Sequence, residues 1–372
     1  MPQTVTPWEV KGKVDYDKLI REFGLKPLEN LPKKFNEHVL FRRNLIFAHR
    51  DFGLIIEAVE KKKPFVMLTG LMPSGKFHFG HKMVADQAIF YQKLGAKVYL
   101  LVADLEAYNS RNPNLKELRE IAITEYLTNY VALGLDLQKC EFYFQSKRSK
   151  NGEKSSAYYS LATMLARHVT FNEFKAVYGE ISPGKMVASL LQASDMLHPQ
   201  LKEFEGRAIA TVVPVGADQD PHLRLARDAA KRIKEFKFMP ISSTAHKFIP
   251  GLKGGKMSSS DPTSYIALTD SPEEATSKIK KYAFSGGQAT LEEHRKKGGD
   301  PEVDVAFQML KFGLEPNDKK LAKIENDYRS GKLLSGELKN ILVEKITEFL
   351  KNHHNKRAKA EKEVEKFVRD NL

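Results

Sequence analysis

Five short apolar runs, separated by stretches of helical period, are the feature that most narrows what this chain can fold into. PFVMLTG (64–70), KVYLLVAD (97–104), CEFYFQ (140–145), IATVVPV (209–215) and the weaker FMPISST (238–244) have the length and unbroken apolarity of strands buried on both faces. Helical patterns lie between them, roughly over 79–94, 115–134, 156–168 and 220–235. Such alternation predicts α/β architecture, a doubly wound parallel sheet with crossover helices. Beyond Pro262 no strand pattern remains, and the basic segments up to Leu372 all read as helices punctuated by glycine pairs. The expected division is therefore an N-terminal appendage (1–60), a Rossmann-like domain (61–265) and an all-helical domain (266–372) whose last helix could pack back on the middle one. Within the appendage, FRRNLIFAHRDFGLIIEAVEKKK (41–63) reads as a basic, helix-like stretch.

Composition excludes several functions. The longest apolar runs are too short to cross a bilayer, and the start lacks the basic-then-apolar layout of a secretory leader. One cysteine, Cys140, allows neither an internal disulfide nor a cysteine-based metal cluster. These features fit a cytoplasmic chain that makes no use of a membrane. A net charge of +13, from 60 Lys+Arg against 47 Asp+Glu, fits a polyanionic partner, because each cation near a phosphate releases a condensed counterion. A lysine-rich solvated surface is the plainer explanation of the same excess.

Two motifs carry chemistry. The first strand runs into TGLMPSGKFHFGH (69–81) and then a helix. Pro73, Ser74 and Gly75 make a turn, Gly80 lets backbone approach a nucleotide, and His78 and His81 sit three apart on the first helical turn, where orphan N–H groups favour anions. Two imidazoles there can donate hydrogen bonds to a phosphorus centre gaining charge. A pair of helix-capping histidines is the bland reading; a two-histidine metal site lacks a third ligand nearby. The second motif, GLKGGKMSSSDP (251–262), follows the last strand run. Its glycines suit a mobile loop, Lys256 is a point charge, and Ser258–Ser260 offer hydroxyls. Such a loop can close over a triphosphate and stabilise departing pyrophosphate.

Together the pair resembles the two signatures of the class I aminoacyl-tRNA synthetases. The resemblance narrows to the tryptophanyl branch of archaeal and eukaryotic type through VPVGADQDPHLRLARD (213–228), AFSGG (283–287), EEHRKKGGD (292–300) and TPWEVKGKVDYDKLIREFG (6–24). It implies that tryptophan is activated with ATP and Mg²⁺ and transferred to tRNA(Trp), with no metal held by the protein. His78, His81 and Lys256 would then be catalytic. Pro73, Ser74, Gly75, Gly80, Met257, Ser258 and Ser259 would bind ATP, with Gly216 and Asp218 on its ribose. Glu106, Gln192 and Gln219 would hold the amino acid's ammonium and carboxylate ends. The helices after 266 would read the anticodon, and RHVTFNEFKAVYG (167–179) would lie at a homodimer interface. Ser259 departs from the family, many of whose members carry a second lysine there, so the loop's charge is one lower.

The tyrosyl enzymes are close relatives, and either amino acid suits the two signatures. Asp195 matches an aspartate that grips the side chain's polar atom in tyrosyl and bacterial tryptophanyl enzymes, while Leu68 and Leu101 stand where eukaryotic tryptophanyl enzymes use Tyr and Gln. A carboxylate facing an apolar wall satisfies an indole N–H, which only donates; a phenol both donates and accepts. The Leu68/Asp195 pairing therefore points to indole. A helix cap is the plainer use of Asp195. A tyrosyl enzyme, a small-molecule nucleotidyltransferase and a catalytically silent RNA-binding paralogue are the alternatives.

Overall fold

The computed structural model describes residues 4–5, 10–11, 14–110, 114–255, 257 and 261–372. Nine strands follow one another among the described residues. β1 (Thr4–Val5) and β2 (Val10–Lys11) pair as a separate antiparallel ribbon. The other seven form one sheet: β3 (Lys26–Pro27), β4 (Ile46–Arg50), β5 (Val66–Leu71), β6 (Lys97–Val102), β7 (Cys140–Phe144), β8 (Thr211–Gly216) and β9 (Ser242–His246), in the order β3-β4-β9-β8-β5-β6-β7. Strands β5 to β9 pair parallel, while β3 and β4 extend the sheet antiparallel from β9.

Side-chain alternation explains why the runs are mostly apolar. Val66 and Leu68, with Tyr99, Leu101 and Tyr143, point into one core layer; Met67, with Val98, Leu100, Val102 and Phe142, points into the other. The first layer packs under the helices Pro183–Leu197 and Asp220–Arg232, the second under Phe79–Lys93 and the C-terminal helices. Each such side chain contributes about 1.5–3 kcal/mol on burial. The doubly wound α/β fold with a helical C-terminal region is as the alternation predicts.

Two elements differ from the sequence reading. The stretch 41–63 is not one helix, since β4 interrupts it. Asn44 and Asp51 take positive φ (51° and 45°), ending a short helix before the strand and starting another, Gly53–Glu60, after it. Pairing of Ile46–Arg50 with β9 outweighs the local helical pattern. The last parallel strand is Ser242–His246 rather than 238–244, and all five of its residues are buried although four are polar. Pro240 cannot donate to a ladder, and a strand made of Ser, Ser, Thr, Ala and His gives no apolar signal.

After β9 the described elements are helical, ending in the 37-residue helix Ser335–Asn371. It reaches the sheet-bearing part: the Phe349 ring lies 5.4 Å from that of Phe79, His353 Nε2 is 2.7 Å from Asn129 Oδ1, and His354 Nε2 is 3.0 Å from the Leu268 carbonyl. Among the described residues no helix is long and apolar enough to cross a membrane.

Candidate active site

After β5 the chain adds β6 and β7 on one side, then returns with β8 on the other, so a crevice opens at the carboxyl ends of β5 and β8. A cavity of about 790 Å³ occupies it. Of the residues singled out in the sequence, Ser74, His78, Gly80, His81, Glu106, Gln192, Asp195, Gly216, Asp218, Gln219 and Met257 line this one cavity. Pro73 and Gly75 are not among the lining residues; Gly75, at φ 101°, turns the chain behind Ser74. Lys256, Ser258 and Ser259 lie outside the described residues.

The signature histidines are both caps and donors. His78 is the N-cap of Phe79–Lys93, and its Nδ1 accepts from the Gly80 N–H at 3.1 Å. His81 Nδ1 accepts from the His78 N–H at 3.2 Å. With both Nδ1 atoms accepting, each neutral ring carries its proton on Nε2. Burial pushes His78 down to about 4, and burial together with His78 pushes His81 well below the usual histidine range. At neutral pH the pair is therefore uncharged, its rings stacked 3.9 Å apart, offering two N–H donors at a helix N-terminus. Glycine at position 80 leaves room for this cap: a Cβ there would lie 2.9 Å from His78 Cε1.

The turn is held from an unexpected side. The Phe77 N–H donates to Glu125 Oε1 at 2.9 Å and the Ser74 N–H to the Tyr126 hydroxyl at 3.4 Å. Both come from Ala122–Leu127, a wider-than-α turn of the kind that often marks functional sites. Nothing in the sequence pattern singled these two residues out.

At the other end of the cavity, Gly216 ends β8. A Cβ on it would sit 2.5 Å from Asp218 Oδ1 and 2.9 Å from the Phe248 ring, so any other residue would have to displace one of these side chains. Gln219 Nε2 donates to Asp218 Oδ2 at 3.1 Å. In the second motif the glycines build a fixed reversal, not only a mobile loop: the Gly251 N–H donates to the Gly255 carbonyl at 2.6 Å, and the Gly254 N–H to that of Gly251 at 2.8 Å. Met257 follows, buried in the cavity wall.

Asp195 is not a helix cap. It lies inside Pro183–Leu197, one helical turn beyond Gln192, with no exposed surface. Oδ1 accepts from the hydroxyls of Tyr143 (2.9 Å) and Tyr158 (2.8 Å), and Oδ2 from Gln145 Nε2 (2.8 Å). A carboxylate has about four acceptor positions, so roughly one remains, on Oδ2. Burial raises its carboxyl to about 6, against the pull of these three donors and of Arg148. Gln145 Oε1 is engaged by the Glu106 N–H at 3.3 Å. Leu68 and Leu101 supply apolar wall. Glu106 sits in the first turn of Asp104–Ser110, just beyond β6. Tyr143, Gln145 and Tyr158 were missed in sequence because they stand 37–52 residues from Asp195.

Comparison with known proteins agrees with this geometry. The family model for class I tRNA synthetases (W and Y) matches residues 60–351. A tryptophan–tRNA ligase of Methanocaldococcus jannaschii is 46% identical over 98% of both chains. The crystal structure of tryptophanyl-tRNA synthetase from Aeropyrum pernix superposes with a TM-score of 0.89, at 46% identity over 95% of each chain. That of Giardia lamblia gives 0.82 at 29% identity, covering 92% of this chain and 93% of the other. The family match over residues 60–351 and these relatives, on the same fold, mean that the chain belongs to the class I tRNA synthetases, in their tryptophanyl branch.

Proposed function

We propose that this protein activates L-tryptophan with ATP and Mg²⁺ to tryptophanyl-adenylate and transfers the amino acid to tRNA(Trp), releasing AMP and pyrophosphate. The observation that carries the reading is the buried Asp195 carboxylate, with one acceptor position left, in the same cavity as the neutral His78–His81 pair. The tryptophan carboxylate attacks the α-phosphorus and pyrophosphate leaves. His78 and His81 donate Nε2–H to phosphate oxygens gaining charge, and Lys256 meets the leaving group. Ser74 and Gly80, with Pro73 and Gly75 shaping the turn, and Met257, Ser258 and Ser259 hold the phosphates and base; Gly216 and Asp218 hold the ribose. Glu106, Gln192 and Gln219 take the ammonium and carboxylate ends, where an ammonium needs several acceptors. A tyrosyl enzyme would need a second polar partner where Leu68 stands.

In this reading the enzyme is cytoplasmic and dimeric. The exposed Phe171 and Val187, on neighbouring helices, support a partner copy on the 167–179 face. Residues 1–60, 61–265 and 266–372 serve as appendage, catalytic domain and tRNA-reading domain, the last helix bridging the latter two. Charge reversal tests the RNA surface. Lys278 is unsuitable, since its Nζ pairs with Asp270, which also meets Lys76 Nζ and caps the Ala267 N–H beside the signature turn. Reversing the exposed Lys280, Lys281, Lys296 and Lys297 should weaken charging of tRNA(Trp) with labelled tryptophan and flatten its salt dependence, while tRNA-free adenylate formation survives. Unchanged charging would place the RNA elsewhere.

A further inference from the structure

Behind the Asp195 pocket lies a second buried charge. Arg148 is 2% exposed. Its Nε donates to His198 Nε2 at 2.9 Å and one terminal nitrogen donates to Glu141 Oε1 at 3.0 Å. The other terminal nitrogen has no hydrogen-bond partner among the described residues. The guanidinium carbon lies 4.0 Å from the ring centroid of Tyr143, 4.6 Å from that of Phe204 and 5.7 Å from that of Tyr99. Desolvating a guanidinium is costly, and an apolar side chain would fill an aromatic cage with less penalty. Its position relative to Asp195 offers a reason for it.

Two routes lead from Arg148 to that carboxylate. The ring whose face it covers, Tyr143, donates its hydroxyl to Asp195 Oδ1. A cation on a π face draws electron density and makes the phenol a stronger donor. The second route is His198. Because Nε2 accepts from Arg148, its proton sits on Nδ1, which donates to the Ser194 carbonyl at 3.0 Å, the residue before Asp195. Burial and the adjacent guanidinium keep this ring neutral. Ser194 Oγ in turn donates to the Tyr158 carbonyl at 2.8 Å, and the Tyr158 hydroxyl returns to Asp195.

We propose that Arg148 is a positioning residue for amino-acid recognition: through Tyr143 and His198 it keeps the Asp195 carboxylate charged and aimed at the substrate's indole N–H. This rests on the reading that Asp195 receives the indole. The titratable and charged groups around Asp195 are Tyr143 on β7, Tyr158 on Gly152–Leu165, His198 on the turn after its own helix, and Arg148. Farther out stand Tyr159, Tyr99 with Glu205, Asp104 and Glu106 on Asp104–Ser110, and His222 on Asp220–Arg232, the last paired with the Tyr178 hydroxyl. Glu141, flanked by Lys97 and Lys154, balances Arg148 from the protein surface.

The test is calorimetric binding of L-tryptophan to the full chain without ATP, as a function of pH. In the wild type, affinity should fall about tenfold per pH unit below a limb near 6, as Asp195 is protonated. Arg148→Met should move that limb up by about one unit, whereas Arg148→Lys, which keeps a charge, should move it less. Glu141→Gln should move it the opposite way, since the guanidinium loses its counter-charge. Opposite shifts from the two partners of one ion pair are not expected of a merely structural pair. A wild-type limb in folded Arg148→Met, or a shift of the same sign in both variants, overturns the proposal. Should Arg148→Met not fold, an unmoved limb in Glu141→Gln overturns it alone. A wild type with no limb near 6 removes the Asp195 reading itself, and this inference with it.

Discussion

Lys256→Ala should lower the turnover of tryptophanyl-adenylate formation by on the order of a hundredfold or more, with the affinity for tryptophan nearly unchanged. The neighbouring histidines explain why so much rests on one lysine. His78 and His81 are neutral at working pH, so they supply oriented dipoles but no formal charge. Lys253, the other cation of the loop's start, is paired with Asp261 at 2.9 Å. Ser259, beside Ser258 and Ser260, adds no charge to the loop. In the proposed mechanism the loop's charge on departing pyrophosphate is that of Lys256, and a charge felt mainly in the transition state affects kcat more than binding. Stopped-flow or exchange kinetics of the variant check this. Turnover equal to wild type would mean that the loop takes no part in the chemistry.

The second large effect belongs to Asp195. Its replacement by Ala removes the acceptor left for the indole N–H and should cost roughly ten- to a hundredfold in selectivity for tryptophan over phenylalanine, because a charge-assisted bond is worth about 1.5–3 kcal/mol. Asp195→Asn, which can still accept but carries no charge, should lie between. The variant also strips the Tyr143 and Tyr158 hydroxyls of their shared acceptor, so the ratio of kcat/KM values is the quantity to compare, not activity alone. Discrimination as good as wild type in Asp195→Ala would move the polar contact to another residue. The carboxylate is a functional cost to the fold. Its folded-state value, about 6, lies above the ordinary 3.8, so protons bound by the folded state favour it at low pH, and stability from this group is lost as pH rises through 6.

How much of this was legible in the chain depended on whether the signal was local. β5 to β8 announce themselves because strands covered on both faces are mostly apolar, and Met67 and Leu68 face opposite layers yet are both fully or nearly buried. β9 hides because Ser242, Ser243 and Thr244 are polar yet buried; the Ser242 Oγ donates to the Asp51 carbonyl at 2.8 Å. β4 hides because tertiary pairing overrides a helical period. The site followed the same division. His78, Gly80 and His81 are neighbours in sequence, stand out there as one motif, and line one cavity. Glu125 and Tyr126, which hold the signature turn, and the donors to Asp195 come together only through the crossovers of the sheet. Gly216 carried its own clue, a glycine at a strand end, but the clash another residue would make is visible only against Asp218 and Phe248.

The most direct measurement is amino-acid-dependent exchange of labelled pyrophosphate into ATP by the isolated chain with Mg²⁺ and without tRNA. An Asp195 carboxylate with one open acceptor, in a cavity that Leu68 and Leu101 also line, predicts rapid exchange with tryptophan and far slower exchange with tyrosine or phenylalanine. Equal or faster exchange with tyrosine would contradict the pocket assignment, and no exchange with any amino acid would contradict the chemistry assigned to His78, His81 and Lys256.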